Sequence, residues 1–230
     1  MNHFLSKFFS FFSIKKLLLF ISLTVFCIPL CACSRQTDYF SFVSELRNNV
    51  FICETENFYL RAHSTEKEYP YAFDGVANQK NRLTEVYLTA PSGDKDCFIY
   101  FTVDGKEYGG DMSYDNVKSE YYYGCSIETS NLSTLTFKLI YDQVEYTLTA
   151  NSAKKKDTLS PREILQRVVD HNHALFENLT DKYGFNGEIC IRLLYEEDAY
   201  YYVGITDRQG KTHAFLLNGK NGKILSSREN

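Results

Sequence analysis

Short segments in which apolar residues recur at every second position fill the middle of the chain and constrain its fold most strongly. They are Leu83 to Ala90, Cys97 to Val103, Lys106 to Met112, Tyr121 to Glu128, Leu135 to Tyr141 and Val144 to Ala150. This period is typical of β-strands with one buried and one exposed face. Asp104-Gly105 is a strong hairpin signal, and Asp142-Gln143 can form a second tight turn. The pattern predicts an antiparallel sandwich or barrel, and we expect a mostly antiparallel, sandwich-like β module.

Two other segments carry apolar residues three or four positions apart, which is the spacing of an amphipathic helix. The first and shorter one runs from Asp38 to Phe51. The second begins at Ser160, where Glu163 three positions later completes a capping box, and it ends at Gly184. The sequence therefore predicts one short helix near residue 40 and one longer helix after residue 160.

Alternating segments return after the second helix and predict an antiparallel meander. They are Glu188 to Tyr195, Tyr200 to Thr206, Thr212 to Leu217 and Lys223 to Ser226. A helix in front of such a meander would lay its apolar stripe on one face of the sheet. We therefore predict an α+β protein with a β module at 38–153 and a helix-plus-sheet module at 157–230. The lysine run at 154–156, a solvated linker or a polyanion contact, marks the boundary.

The first 33 residues have the pattern of an export signal. A basic start without acidic residues leads into an uncharged run of 16 residues, Leu17 to Ala32, shorter than the roughly 20 needed to span a membrane as a helix. The run ends in Leu30-Cys31-Ala32-Cys33, which resembles the lipobox of bacterial lipoproteins. The resemblance implies that residues 1–32 are a cleaved signal peptide and that Cys33 is the lipidated residue, carrying fatty acids such as palmitate. An ordinary signal peptide with an incidental cysteine and an uncleaved anchor are the alternatives.

A lipidated Cys33 would place the protein on the extracytoplasmic face of the cell membrane, with residues 33–37 as a short tether. The net charge of −4 argues against a nucleic-acid partner. Loss of residues 1–32 removes three lysines and no acid, so the anchored part is more acidic and is not attracted to an anionic bilayer. We expect the membrane to be contacted through the lipid anchor, and a protein or cell-envelope component to be a possible partner.

Residues 157–230 also resemble the PepSY domain family of exported bacterial proteins. The features that carry the resemblance are Leu159-Ser160 with Glu163-Ile164-Leu165, Tyr201 to Ile205, Gly210, Leu216 to Asn218 and Gly222 to Leu225. The family often has Asp where Asn218 stands. Members of this family are often protease pro-segments or binding modules, so the resemblance implies a non-catalytic role.

Two tyrosine triplets supply the candidate binding residues. Alternate side chains of a strand face opposite sides, so each triplet places at least one ring toward solvent or another chain. We assign Tyr121, Tyr123, Tyr200 and Tyr202 to a binding surface, since exposed tyrosine makes good contact area. Cross-strand aromatic pairing that only stabilises a sheet is the alternative.

The sequence contains no motif for a nucleophile elbow, a zinc protease, a P-loop or a dinucleotide site. We therefore predict no catalytic residue, no metal and no cofactor, and a non-catalytic binding or interaction module as the function. A hydrolase that acts on the cell envelope through an unrecognised site, and an accessory subunit of a membrane complex, are the alternatives. The pairing of Cys53, Cys97, Cys125 and Cys190 is left open.

Overall fold

Strands dominate the computed structural model, which describes residues 37–69 and 79–230. The first nine strands are β1 (Val43–Glu54), β2 (Tyr59–Glu68), β3 (Lys80–Thr89), β4 (Cys97–Val103), β5 (Lys106–Asp111), β6 (Ser113–Asp115), β7 (Glu120–Cys125), β8 (Thr134–Tyr141) and β9 (Val144–Ser152). After the helices come β10 (Thr180–Asp181), β11 (Gly184–Phe185), β12 (Gly187–Glu196), β13 (Asp198–Asp207), β14 (Thr212–Asn218) and β15 (Ile224–Glu229). Two α-helices are present in this part of the chain, α1 (Pro161–His171) and α2 (His173–Asn178).

Local turn and capping chemistry explains why many element positions are confirmed. Asp104 and Gly105 both adopt positive φ between β4 and β5, as do Asp142 and Gln143 between β8 and β9. Such residues are needed for two-residue hairpin turns. The capping box at the start of α1 is also present, with the Ser160 hydroxyl accepting from the Glu163 amide. The predicted long helix is interrupted at Asn172, where ψ is 48°, and gives way to the hairpin of β10 and β11.

The predicted helix from Asp38 to Phe51 is wrong. Only Tyr39–Phe42 form a short 3-10 helix, and β1 follows directly. A bulge in β1 between Arg47 and Asn49 shifts the alternation of its side chains by one position. A second irregularity, between Val43 and Glu45, places Val43 and Leu46 on one face opposite Ile189 and Ile191. Val50 lies beyond the bulge and pairs with His63, so the helix-like spacing of these residues does not reflect a single face.

One continuous sheet joins strands from both ends of the described chain. Along its main path the order is β15-β14-β13-β12-β1-β2-β3-β7-β6, and β9, β8, β4 and β5 branch from β1. The strands before the helices are joined to the strands after them by the pairing of β1 with β12, which is parallel. Residues 38–230 accordingly form one compact unit with its own apolar cores, as expected of a segment that folds by itself.

The branch curls back and nearly closes a barrel. β5 pairs with β4, whereas β6, which follows after Met112, pairs with β7. The segment 106–115 therefore links the two edges that would otherwise stay open. The result is a nearly closed, largely antiparallel, barrel-like sheet.

The sheet packs against two apolar clusters, and β1 contributes to both. The barrel core includes Phe51, Leu60, Ile99, Phe137 and Leu139. The helix core includes Val43, Ile164, Val168, Ile189 and Tyr201. Buried Asn49 lies in the β1 bulge, where its Nδ2 donates to the carbonyls of Ser130 and Leu132 and its Oδ1 accepts from the Val50 amide. These bonds fix the point at which β1 passes from one core to the other.

The predicted α+β class, with a β sandwich-like first part and a helix packed on an antiparallel meander as the second part, is wrong. The structure is 57% strand and only 11% helix, which makes it a mostly β protein. Its first part curls toward a barrel, and its strands are continuous with those of the second part through β1 and β12. The predicted boundary at 153–157 falls between β9 and α1. The division into two domains stays a prediction.

Candidate ligand-binding site

The face of the sheet opposite the barrel core carries an unusual set of arginine and tyrosine side chains. Residues that pair across neighbouring strands share a face, so the register identifies them. We call this set the arginine–tyrosine face; it comprises Arg47, Arg61, His63, Tyr87, Tyr122, Arg192, Leu194, Tyr200, Tyr202 and Leu216. It spans β1, β2, β3, β7, β12, β13 and β14, so it exists only once the sheet has formed.

Two of the three arginines on this face are held by carboxylates. Arg192 binds Glu45 through two bonds, from Nε to Oε1 at 2.6 Å and from Nη2 to Oε2 at 2.9 Å. Burial alone would raise the pKa of Glu45, but the hydrogen bonds and charge of Arg192 outweigh it and keep that pKa below its usual value. Arg61 forms an ion pair with Glu120. These two charges are therefore largely neutralised within the protein.

The tyrosines of the face stack with these cations and with one another. The Arg61 guanidinium lies 5.5 Å from the centre of the Tyr87 ring, and that of Arg192 lies 5.8 Å from the centre of the Tyr202 ring. The Tyr87 ring centre is 5.0 Å from that of His63 and 5.3 Å from that of Tyr122. Each cation–π contact is worth roughly 0.5–1 kcal/mol at an exposed site. The stacking holds the side chains in fixed positions before any ligand arrives.

Three buried polar atoms on this side of β1 and β2 have no hydrogen-bond partner among the described residues. They are Nε of Arg47, Nδ1 of His63 and Oγ1 of Thr65. His63 is 8% exposed and Thr65 is 1% exposed. Arg47 and Thr65 pair across the two strands, and His63 is two positions before Thr65. Leaving a buried polar group unpaired costs about 1–3 kcal/mol, so a cluster of them is unusual.

Burial determines the charge state of His63. It lowers the pKa of the imidazole to about 3, and the positive charges of Arg47, Arg61 and Lys67 act in the same direction. The ring is therefore neutral at physiological pH. Burial, and then the charge of Arg192, also lower the pKa of Arg47, which nevertheless stays a cation because an arginine pKa starts far above 7.

A pocket of about 500 Å³ opens on the same face. Its lining residues are Arg47, Val50, Ile52, Arg61, His63, Leu193, Leu194, Tyr195, Glu196, Tyr200 and Leu216. The volume is within the range of small-molecule sites, which are usually apolar with a few convergent polar groups. A second depression of about 540 Å³ lies over β4, β8 and β9, and none of the three unpartnered atoms lines it.

The tyrosines predicted from sequence lie in different environments. Tyr121 is buried in the barrel core at 2% exposure, and its hydroxyl lies 2.9 Å from the Lys95 carbonyl oxygen, to which it donates. Tyr123 is half-buried against the same core. Tyr200 lines the pocket, and Tyr202 lies on the same face beneath Arg192. The structure thus brings Tyr200 and Tyr202 together and puts the other pair on the opposite side of the sheet.

Sequence reasoning missed Arg47, Arg61 and His63 as site residues. The alternation of Tyr59, Arg61 and His63 with apolar residues along β2 did signal that they share a face. Cys33, the predicted lipidation site, lies outside the described residues, as do residues 1–32 of the predicted signal peptide.

The remaining candidates for chemistry are few in the described ranges. Cys53, Cys97, Cys125 and Cys190 are all free thiols. Within residues 37–69 and 79–230, no three His, Cys, Asp or Glu side chains come together as metal ligands. No helix of that part has the length and apolar character to cross a bilayer.

Comparisons with known proteins give no match for this chain, whether with protein-family models, curated proteins or solved structures.

Proposed function

We propose that the protein is a lipid-anchored, extracytoplasmic binding protein whose ligand occupies the pocket on the arginine–tyrosine face. The lipobox-like sequence around Cys33 supports the anchor. The observation that carries the binding role is the presence of two unpartnered buried atoms, Arg47 Nε and His63 Nδ1, on side chains that line an open pocket. A ligand that satisfies both atoms recovers the free energy that each loses by being buried without a partner.

Binding fits the pocket better than hydrolysis does. A general base of the serine- or cysteine-hydrolase kind is oriented by a third group that accepts from its second ring nitrogen. Among the described residues, Nδ1 of His63 contacts no such group. The cell-envelope or protein partner proposed from the sequence would reach this face from the extracytoplasmic side.

Native mass spectrometry of the full-length protein purified from its own membranes tests the proposal. We expect the wild type to carry a bound molecule that is released on denaturation. The Arg47→Gln variant should not carry this molecule. Arg208→Gln is the matched control, because Arg208 is exposed in the turn between β13 and β14. A protein that carries no extra mass, and is not stabilised by aqueous or lipid extracts of the same cells, would refute the binding role.

A further inference from the structure

The polar side chains of the pocket include one positive charge that forms no ion pair with the described residues. Arg192 is bound to Glu45, and Arg61 to Glu120. Arg47 has no ion pair among the described residues, although the charges of Glu45 and Glu85 interact with it at longer range. Glu196, the one acid among the described lining residues, is exposed.

Other lining residues of the pocket are apolar or aromatic. Ile52, Leu194 and Leu216 line it together with the ring of Tyr200. All four are half-buried, so their apolar surface is in part open to solvent. Each methylene that a ligand buries against such a surface contributes about 0.8 kcal/mol.

We propose, building on the proposed function, that the ligand is an amphiphilic oxyanion: a carboxylate or phosphate group bound at Arg47 and His63, with an alkyl or aryl chain against Ile52, Leu194, Tyr200 and Leu216. The free Nε–H of Arg47 supplies a charge-assisted hydrogen bond. The neutral ring of His63 supplies a second bond from Nδ1 when the proton is on that nitrogen. A ligand with both parts contacts both the polar and the apolar lining residues, whereas an inorganic anion or a neutral chain contacts only one of these two sets.

Calorimetric titration of residues 38–230, which form one compact unit, tests this with defined probes. The probes are decanoate and decyl phosphate, with decanol, decyltrimethylammonium, acetate and inorganic phosphate for comparison. A charged hydrogen bond is worth about 1.5–3 kcal/mol, so we expect the two decyl anions to bind roughly tenfold to a hundredfold more tightly than decanol. Their affinity, unlike that of decanol, should fall as the salt concentration rises.

Variants separate the contributions of the polar and the apolar lining residues. Arg47→Gln should lower the affinity for decanoate at least about tenfold and leave the affinity for decanol nearly unchanged. Arg208→Gln should change neither affinity. Leu194→Asn should weaken both decanoate and decanol, with Leu225→Asn as control, because Leu225 is an exposed leucine on β15. If Arg47→Gln does not fold, the salt dependence of the wild type provides the same test of the charge.

The outcomes distinguish this inference from the proposed function. Equal binding of decanol, decyltrimethylammonium and decanoate, or equal affinity of the Arg47→Gln and Arg208→Gln variants for decanoate, overturns the oxyanion assignment. A molecule co-purifying with the protein would then still support a binding role. Binding of decyl phosphate but not decanoate identifies a phosphate such as that of a lipid headgroup, and the reverse identifies a carboxylate; each supports the inference.

Discussion

Acid should destabilise this protein well above the pH at which carboxylates take up protons, because of one buried histidine. The pKa of His63 is lowered to about 3 in the folded protein, against 6.5 for an ordinary histidine. Below pH 6.5 the unfolded chain therefore binds a proton that the folded protein does not bind. The contribution of His63 to the free energy of unfolding is fully present above that pH and is lost as the pH drops toward 3.

The size of the effect follows from this difference. One pKa unit corresponds to 1.36 kcal/mol, so lowering the pH from 7 to 5 should reduce the free energy of unfolding by about 2 kcal/mol through His63 alone. Arg47 from β1, Arg61 and Lys67 from β2, and Glu85 across the pair from His63 on β3 are the charged groups around it. The three cations oppose protonation, and Glu85 is the one acid among these neighbours.

Urea unfolding of residues 38–230 at pH 7 and pH 5 measures this, followed by the fluorescence of the tyrosines, since the chain has no tryptophan. Between the two pH values, the free energy of unfolding of the His63→Gln variant should fall by about 2 kcal/mol less than that of the wild type. His171→Gln, at an exposed position on α1, is the matched control and should behave as the wild type does. If wild type and His63→Gln lose the same stability, His63 is not buried as a neutral ring and the electrostatic argument for the pocket is wrong.

Three other predictions address the barrel, the helix and the anchor. Gly109→Ala would place a methyl group against a backbone carbonyl of β4, whereas at Gly110, with nearly the same φ, the nearest atom is 3.8 Å away. Urea unfolding should therefore show the Gly109→Ala variant to be about 1–3 kcal/mol less stable than the Gly110→Ala variant. Equal losses of stability in the two variants would contradict the close contact. Ser160→Ala removes the N-cap of α1 and should cost about 1 kcal/mol in the same assay, and an unchanged midpoint would show the cap to be unimportant. Cys33→Ala in the full chain should abolish incorporation of labelled palmitate and leave an unprocessed precursor or a released protein. The Cys31→Ala variant is the control and should be labelled normally. Labelling of the Cys33→Ala variant would disprove the anchor.

Elements whose boundaries depend on neighbours in sequence could be predicted, as β4 and β8 show. Cys97–Val103 was predicted to the residue because alternation and the turn at Asp104 are both local signals. β1 could not be predicted in this way. Its bulge depends on Asn49, whose partners Ser130 and Leu132 lie more than 80 residues away in the chain.

The candidate site shows the same limit. Tyr200 and Tyr202 were identified because a tyrosine triplet is visible in the sequence. Arg47 becomes a site residue only because β1 pairs with both β2 and β12, so its neighbours come from both ends of the described chain. No property of the sequence near Arg47 indicates that its guanidinium would form no ion pair with the described residues.

The parallel contact of β1 with β12 has a consequence for biogenesis. Val43 and Ile189 are neighbours in the sheet, so β1 can take its final place only after the chain has been made as far as β12. Contacts between such distant positions form slowly, because a long loop must close first. Until β12 has been made, that edge of β1 stays unpaired, and this is the interval in which the chain is most exposed to aggregation.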